Sequence, residues 1–212
     1  MKKNKWVFIT ITVLWVIIGT ACTAVISLFV AISCGWVGYV PDTDVLENPQ
    51  SEYATQVISA DGVVMGSWYS SKPGVTTNRV RVEYDEIPQH LVEALVATED
   101  VRYYDHSGID GKSLLRVIVK SIILRQENSG GGSTITQQLA KMLHSKPERG
   151  MMARIRQKPN EWVIAAKLEK RFTKDEILTM YLNKYDFGYN AVGIKSAANV
   201  YFGKLPSELN TQ

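Results

Sequence analysis

Charged residues are missing from one long stretch near the N-terminus of this 212-residue chain. The first five residues read MKKNK, and no charged side chain then occurs between Trp6 and Pro41. A membrane-spanning helix needs about 20 apolar residues, whereas a cleavable signal peptide has an apolar core of only about 7–15. The run therefore predicts an uncleaved membrane anchor over residues 6–40, with a buried core helix as the alternative.

The lysines before this run predict the orientation of the chain. Lys2, Lys3 and Lys5 stand directly before the apolar residues, and basic residues next to a membrane helix mark the cytoplasmic side. Residues 1–5 are therefore expected to form a cytoplasmic tail. Everything after about Val40 is expected to lie across the membrane.

The chain also has few cysteines, a small net charge and no residues at the spacing of metal ligands. Cys22 and Cys34 both lie in the apolar run, so the outer part has no thiols for a disulfide framework or a thiolate metal site. The formal net charge of +3 is too small to indicate a nucleic-acid partner. No second His or Cys lies at ligand spacing from His106, so no metal site is predicted. A P-loop is excluded because His106 stands where the sequence before the GKS at 111–113 requires glycine.

The remaining chain has the pattern of one mainly α-helical domain that begins with a small β-hairpin. Residues 41–53 contain Pro, Asp, Thr and Asn and predict a linker, so the domain covers residues 54–212. β-Branched and aromatic residues flank Asp61-Gly62, which predicts a hairpin with a positive-φ turn. From Pro88 onward the apolar period becomes helical. Helices are expected from Pro88 to about Thr98, from Thr134 onward, and over residues 112–125, 160–169, 174–183 and 191–201.

Two adjacent acids end the first helix of this domain. Glu99 lies four residues after Leu95 and therefore at the edge of the apolar face, while Asp100 is expected to point toward the more polar side. A partly desolvated carboxylate at such an edge is suited to accept a proton in catalysis. The alternative is a helix end that carries two solvated acids.

The segment GGGSTITQQLAK at residues 130–141 joins a glycine loop to a helix start. Thr134 and Gln137 have the spacing of a capping box. Free backbone N–H groups and the helix dipole at such a start suit phosphate or pyrophosphate, and Lys141, two turns further on, could neutralise its charge. A flexible loop followed by a capped helix is the alternative.

Two basic patterns complete the set. In residues 154–162, several cations precede Glu161 at a predicted helix start. The cations would stabilise an anionic leaving group, or they are solvated while Glu161 favours the helix dipole. Lys112, Arg116 and Lys120 form a stripe on an otherwise apolar helix. That stripe is typical of helices in a membrane surface, with core packing as the alternative.

Four blocks in this order resemble the family 51 glycosyltransferase domain, found in class A penicillin-binding proteins and monofunctional transglycosylases. The first family motif, Glu-Asp-x-x-Phe-x-x-His-x-Gly-x-Asp, matches residues 99–110 with Tyr103 at the Phe position. The second, Gly-x-Ser-Thr-Ile-Thr-Gln-Gln, matches residues 131–138. The resemblance spans roughly Ala54 to the end of the chain, and the first two motifs together are highly specific.

The third and fourth motifs match less closely. Lys158 and Glu161 fit the third motif, Arg-Lys-x-x-Glu, but Gln157 replaces its Arg, and Arg154 or Arg156 would have to substitute for it. The fourth motif is similar to residues 176–183, followed by Gly188 and Gly193.

The resemblance implies a lysozyme-like, mainly α-helical glycosyltransferase domain preceded by one transmembrane helix. Such a domain polymerises lipid II into β-1,4-linked peptidoglycan strands and releases undecaprenyl pyrophosphate. The implied location is the bacterial inner (plasma) membrane, with a single span and the catalytic domain on the periplasmic or extracellular side. The implied partners are lipid II, the growing lipid-linked glycan, the membrane and cell-wall synthesis proteins, without nucleic acid.

The resemblance also implies roles for individual residues. Glu99 would take the proton from the acceptor hydroxyl, and Glu161 would position the sugar or cations. No cofactor is required by this chemistry, although Mg²⁺ or Mn²⁺ at the pyrophosphate is compatible with it. His106, Gly108 and Asp110 would shape the turn that holds Glu99. The implied substrate-binding residues are Asp100, Ser133, Thr134, Gln137, Gln138, Lys141, Arg154 and Lys158.

The family fold would continue beyond the final residues YFGKLPSELNTQ, and no Ser-x-x-Lys transpeptidase signature occurs in the chain. We therefore expect a truncated penicillin-binding protein, or a fragment, in which the C-terminal part of the domain is missing. Two other functions stay open. A membrane-anchored lysozyme-like hydrolase would use Glu99 and Glu161 as its two carboxylates, and an inactive fragment would act only as a binding scaffold.

Overall fold

The structure is a computed structural model that describes residues 2–37, 55–62, 64–68, 80–120, 131–144 and 151–211. The predicted linker at 41–53, the last three residues of the predicted anchor and the predicted helical residues 121–125 lie outside this described part. Within it the chain is mainly helical, as the periodicity of the sequence predicts. The α-helices are α1 (Lys2–Ser33), α2 (Gln89–Glu99), α3 (Gly111–Ile118), α4 (Ile135–His144), α5 (Met151–Arg171), α6 (Lys174–Lys184) and α7 (Ile194–Phe202).

The N-terminal helix α1 contains the apolar run found in the sequence. Its stretch Lys5–Ser33 is, among the described residues, the one helix long and apolar enough to cross a membrane. Most of its side chains are exposed, and Trp6 and Phe8 keep more than 70% of their surface. That exposure contradicts a buried core helix and suits a helix whose surroundings are lipid. Only near its C-terminal end, at Ile32, does α1 bury a side chain against the domain.

The predicted hairpin is confirmed at Asp61-Gly62. Strand β1 (Thr55–Ile58) pairs in antiparallel register with β2 (Val64–Trp68), and the register shifts between Val57 and Ile58. Gly62 has a φ of +83°, a conformation in which a side chain is disfavoured. In the chain, the hairpin lies between the N-terminal apolar helix and the helices of the domain.

The core of the domain forms around α4, which packs against α5 and α6. Apolar side chains of all three helices are fully buried there: Ile135, Leu139, Ala165, Leu168, Ile177 and Leu178. Because α4 is short and its first turn is buried as well, this helix is held on several sides. Residues at its start are therefore placed precisely relative to both neighbours.

Helix α5 differs from its predicted bounds. The prediction that a helix begins near Asn160 is wrong, because α5 starts at Met151 and contains Pro159 in its interior. Proline lacks one backbone N–H and usually breaks a helix at this depth. Here burial of Val163, Ile164 and Leu168 holds the helix on the core, which offsets the lost hydrogen bond.

Residues 80–83, which precede a short 3-10 helix at Tyr84–Glu86, are not part of a sheet. Val82 is fully buried, and its backbone N–H donates to Asn183 Oδ1 at 2.9 Å while its carbonyl accepts from Asn183 Nδ2 at 2.8 Å. The side-chain amide of α6 therefore pairs with the backbone as a neighbouring strand would. Asn183 belongs to the fourth sequence block, and this bond gives it a structural role.

Candidate active site

The two adjacent acids at the end of α2 point in different directions. Glu99 is the last residue of the helix and is exposed, whereas Asp100 turns away from the helix axis with φ −157° and is 8% exposed. The predicted arrangement, with a partly desolvated Glu99 and a more polar Asp100, is wrong. The helix ends between the two residues, so helical periodicity no longer determines where Asp100 points.

Asp100 connects the turn after α2 to the start of α4. His106 Nε2 lies 3.1 Å from both Asp100 carboxylate oxygens, and the Ile135 backbone N–H donates to Asp100 Oδ2 at 3.1 Å. A carboxylate at a helix N-terminus satisfies an N–H that has no partner within the helix and interacts favourably with the dipole. Asp100 therefore positions the start of α4, and its predicted contact with substrate stays a prediction.

The carboxylate of Glu99 is held from the side by α4. Gln138 Nε2 donates to Glu99 Oε2 at 2.8 Å, and the Gln138 carbonyl accepts from the Tyr181 hydroxyl at 3.1 Å. Burial, followed by the nearby Glu99 charge, raises the pKa of Tyr181, so its hydroxyl remains a donor. This chain fixes the side-chain amide of Gln138 with its N–H toward Glu99. An exposed carboxylate is thereby oriented while its other oxygen stays accessible.

The turn after α2 is built by Gly108 and Asp110. Gly108 has a φ of +82°, and a Cβ added there would lie 3.0 Å from the Ala165 carbonyl oxygen of α5. Asp110 caps α3, because its carboxylate accepts from the Lys112 and Ser113 N–H groups and pairs with Arg102. Burial alone would raise the pKa of Asp110, but the Ser113 hydrogen bonds and the Arg102 guanidinium lower it to about 2.

The start of α4 differs from the predicted anion site. The Gln137 backbone N–H donates to Thr134 Oγ1 at 3.1 Å, which is one half of the predicted capping box. The other half does not form, because Gln137 Nε2 and Thr134 Oγ1 both donate to the Gly108 carbonyl, at 3.2 and 2.6 Å. Thr134 and Gln137 are 2% and 1% exposed. They hold the turn against α4, and the prediction that they contact substrate stays a prediction.

A cation lies at the other side of this segment. Lys158 Nζ is 2.8 Å from Ser133 Oγ and 2.8 Å from Glu161 Oε2. The Lys158 side chain remains 40% exposed, whereas that of Glu161 is only 5% exposed. Glu161 lies inside α5, not at a helix start as predicted. Its buried carboxylate neutralises part of the Lys158 charge. Ser133 and Lys158 therefore present a hydroxyl and an ammonium group that a ligand can reach.

The structure says less about two further predicted cations, Lys141 and Arg154. Lys141 is exposed on α4, one turn beyond Gln138, so both side chains lie on neighbouring positions of one helix face. Arg154 belongs to α5, but its side chain lies outside the described part of the chain. It therefore stays a prediction that a nearby arginine takes the role of the motif arginine, whose position is occupied here by Gln157.

Sequence analysis missed a buried ionic cluster beneath the turn. Glu169 Oε1 accepts from Thr136 Oγ1 at 2.6 Å and from Lys174 Nζ at 2.8 Å, and Lys174 also donates to the His106 carbonyl at 2.7 Å. Lys174 lies 4.3 Å from the centre of the buried Tyr103 ring. No local pattern could have indicated this cluster, because its members are as many as 71 residues apart in the chain.

The described residues contain no group of three or more His, Cys, Asp or Glu side chains arranged to hold a metal ion. Among the described residues, the accessible polar groups of the candidate site are the Glu99 carboxylate, the Lys158 ammonium group with the Ser133 hydroxyl, and the exposed Lys141. A carboxylate suits proton abstraction, and the ammonium group suits an anion.

Comparison with known proteins identifies relatives of the chain. The chain is 38% identical over 170 residues to penicillin-binding protein 1A of Escherichia coli (strain K12), which covers 80% of this chain and 19% of that protein. It is 36% identical over 208 residues to penicillin-binding protein 1F of Bacillus subtilis (strain 168), covering 98% of this chain and 26% of the relative. Penicillin-binding protein 1A of Aquifex aeolicus (strain VF5) is 37% identical over 171 residues, covering 81% and 22%.

These relatives are much longer than the chain, which spans between about a fifth and a quarter of their length. The sequence model described as Transglycosylase matches residues 66–212, a stretch that includes every predicted site residue. That match covers more than half of the chain and contains the helices α2 to α7. The chain therefore belongs to the transglycosylase family.

Proposed function

We propose that this protein is a peptidoglycan glycosyltransferase that polymerises lipid II and releases undecaprenyl pyrophosphate. One observation supports it best. An oriented, accessible carboxylate lies on one side of the start of α4, and an accessible cation lies on the other side. Glu99 is held by Gln138, and Lys158 is held by Ser133, five residues before Gln138. A transfer between two lipid-linked sugars needs a base at one end and an anion-binding group at the other.

In the proposed reaction, Glu99 accepts the proton of the sugar 4-hydroxyl of the acceptor. The hydroxyl oxygen attacks the anomeric carbon of the donor, and the bond from that carbon to the pyrophosphate oxygen breaks. The electron pair stays with the pyrophosphate. The Lys158 ammonium group and the neighbouring Ser133 hydroxyl stabilise the charge that develops there. Attack opposite the leaving group converts an α-linked donor into a β-1,4-linked product.

Glu161 supports this chemistry indirectly. Its buried carboxylate is paired with Lys158 at 2.8 Å, so it fixes the ammonium group and is not free as a second exposed acid. A lysozyme-like hydrolase needs a second carboxylate beside the sugar, and Glu161 in this ion pair suits that role poorly. The exposed partner of Glu99 in the site is a cation, which favours transfer from a pyrophosphate.

A divalent cation is compatible with this proposal but is not required by it. Lys158 and the exposed Lys141 supply positive charge, and Mg²⁺ or Mn²⁺ would be held mainly by the pyrophosphate oxygens. We expect polymerisation to persist when a chelator is added. Complete loss of activity, restored by Mg²⁺, would show instead that the cation is essential.

Incubation of the full chain with lipid II in detergent tests the proposal. Polymer and undecaprenyl pyrophosphate should both appear, and Glu99→Gln should lower the rate about 10²–10⁴-fold, the usual contribution of a general base. Glu93→Gln, on the exposed face of the same helix, is the matched control and should leave the rate unchanged. Cleavage of preformed glycan with lipid II untouched would show that the protein is a hydrolase. Binding of lipid II without turnover would indicate a scaffold.

We also propose that the domain lies on the periplasmic or extracellular side of the bacterial plasma membrane. The single apolar helix and its N-terminal lysines support this orientation. On that side the site would meet substrates whose lipid tails stay in the bilayer, together with other cell-wall synthesis proteins.

A further inference from the structure

The end of the anchor helix and one face of α5 enclose a groove beside the domain. Its volume is about 640 Å³, within the range of ligand sites in proteins. The wall is mostly apolar, and its members come from α1, from the turn after α2 and from α5: Phe29, Ile109, Trp162, Val163 and Ala166. The groove is separate from the candidate active site, since Trp162 and Glu161 are consecutive and point about 100° apart around α5.

Aromatic stacking holds the two sides of the groove together. The rings of Phe29 and Trp162 are parallel within 4°, with their centres 5.9 Å apart. The next turn of α1 buries Ile32, so the anchor is packed on the domain at this point. The Trp162 indole N–H is buried and has no hydrogen-bond acceptor within the described residues.

The rim of the groove is positively charged. Lys167 is half-buried and Lys170 is exposed, and they lie one turn apart on the same side of α5. The acid that also lines the groove, Glu169, is already neutralised by Lys174 at 2.8 Å and accepts from Thr136. The two rim lysines therefore give the groove a net positive charge.

The position of the groove indicates which molecules surround it. Phe29 and Ser33 belong to the last turns of the apolar span Lys5–Ser33, so the groove lies where that span ends at the membrane surface. In a bilayer crossed by this span, acyl chains would lie beside Phe29 and lipid head groups would lie at the level of the rim. Lysines at this level attract anionic lipids.

We propose that this groove binds an anionic phospholipid. One acyl chain lies along the apolar wall, and the phosphate contacts Lys167 and Lys170. The bound lipid packs against both α1 and α5 and so joins the anchor to the domain. This site does not depend on the proposed glycosyl transfer, because it uses neither Glu99 nor Lys158.

Quenching of Trp162 fluorescence tests the proposal in the full chain. Trp6, Trp15, Trp36 and Trp68 are replaced by Phe, and the protein is reconstituted in phosphatidylcholine vesicles without lipid II. Brominated phosphatidylglycerol or brominated phosphatidylcholine is then added in small mole fractions. The anionic lipid should reach half-maximal quenching at a mole fraction roughly tenfold lower, given two lysines near a phosphate.

Matched variants separate this site from general attraction to the membrane. Lys167→Gln with Lys170→Gln should abolish the preference for the anionic lipid. Lys195→Gln with Lys204→Gln removes one half-buried and one exposed lysine elsewhere and should leave the preference intact. Ala166→Phe narrows the groove while it keeps both charges, and it should reduce quenching by either lipid.

Three results would overturn the proposal. The first is equal quenching by the two lipids in the parent protein, and the second is the same loss of preference in the control pair. The third is displacement of the brominated lipid by an equimolar polyprenyl pyrophosphate, which would assign the groove to a substrate tail. None of these readings involves turnover, so they are independent of whether the protein transfers sugars.

Discussion

At the residue scale, the neighbouring acids Glu99 and Asp100 have different roles, one exposed at the site and one structural. Asp100 is buried and ties His106 to the first N–H of α4, while Glu99 is exposed and is oriented by Gln138. A base must be reachable by its substrate, and it must also be held in a single direction. The buried acid supplies the rigidity, and the exposed acid stays free to accept a proton.

The first residue-scale prediction concerns Lys158. Lys158→Gln retains a donor for Ser133 and Glu161 but removes the positive charge, so polymerisation should fall about 10²–10³-fold, as for loss of one electrostatic stabiliser. The rate of polymer formation from lipid II measures this effect. Lys158→Arg should restore much of the activity. Equal rates for the parent and Lys158→Gln would remove Lys158 from leaving-group stabilisation.

The second residue-scale prediction concerns Asp110 and pH. The pKa of Asp110 is lowered to about 2 in the folded protein, and in an unfolded chain it is about 3.9. The ionised group therefore stabilises the fold above about pH 4, by about 2 kcal/mol, and this contribution is lost as pH falls toward 2. Unfolding of the parent and of Asp110→Asn in detergent should differ at pH 6 and converge near pH 2. A constant difference across this range would contradict the assignment.

At the element scale, the fold brings three chain segments together at the Gly108 carbonyl. The turn after α2 contributes Gly108, the start of α4 and the residue before it contribute Gln137 and Thr134, and α5 contributes the Ala165 carbonyl against the Gly108 Cα. Each contact fixes the relative position of two elements. The position of α4, which carries Gln138, relative to this turn therefore depends on these contacts.

Gly108→Ala tests this close approach. The new Cβ would meet the Ala165 oxygen at 3.0 Å, and the residue would keep a φ of +82°, so we expect a loss of about 2–4 kcal/mol. Gly203→Ala is the matched control, because it also has a positive φ but no atom within 4 Å of the added Cβ. It should cost only about 1 kcal/mol. Thermal unfolding in detergent measures both, and equal losses would show that the approach to α5 contributes nothing.

Helix α3 carries the second element-scale prediction. Lys112, Arg116 and Lys120 are exposed, and Leu115 on the adjacent stripe is 63% exposed. An apolar side chain left at the surface beside three cations favours the membrane-surface interpretation over core packing. With Cys22 and Cys34 replaced by Ser, a polarity-sensitive dye on Leu115→Cys should shift to the blue in anionic vesicles. The same dye on Ser207→Cys should not shift, and identical spectra would place α3 in water.

At the scale of the whole molecule, one apolar helix and one helical domain meet where the helix ends. The contact of Phe29 with Trp162 places α5, which also carries Lys158, directly on the anchor. The candidate site is thereby held at a set height above the span. This arrangement suits a substrate that is itself anchored in the bilayer.

The orientation of the chain gives a prediction at this scale. The lysines before the span should keep residue 4 inside the cell and the domain outside. In intact cells, with both native cysteines replaced by Ser, a membrane-impermeant thiol reagent should label Ser207→Cys but not Asn4→Cys. Both should be labelled after the cells are opened. The reverse pattern in intact cells would invert the proposed topology.

Local patterns predicted the elements well where one physical rule dominated. The uncharged run predicted α1, the Asp61-Gly62 turn predicted the hairpin, and apolar periodicity predicted α2, α6 and α7 within a few residues. Prediction failed at Pro159, because the usual effect of proline on a helix is local, whereas the packing that overrides it is not. It failed at Asp100 for a similar reason, since a side chain beyond a helix end follows its tertiary partners.

The sequence by itself determined the apolar N-terminal helix, the helical class and the family, because charge, periodicity and motif order are properties of the chain. Only the tertiary structure decided which residues of the motifs are accessible. It buried Asp100, Thr134 and Gln137 as supports and left Glu99 and Lys158 within reach. The physical reason is that partners such as Gln138 and Glu99 are 39 residues apart. No local spacing specifies a hydrogen bond between side chains on different helices.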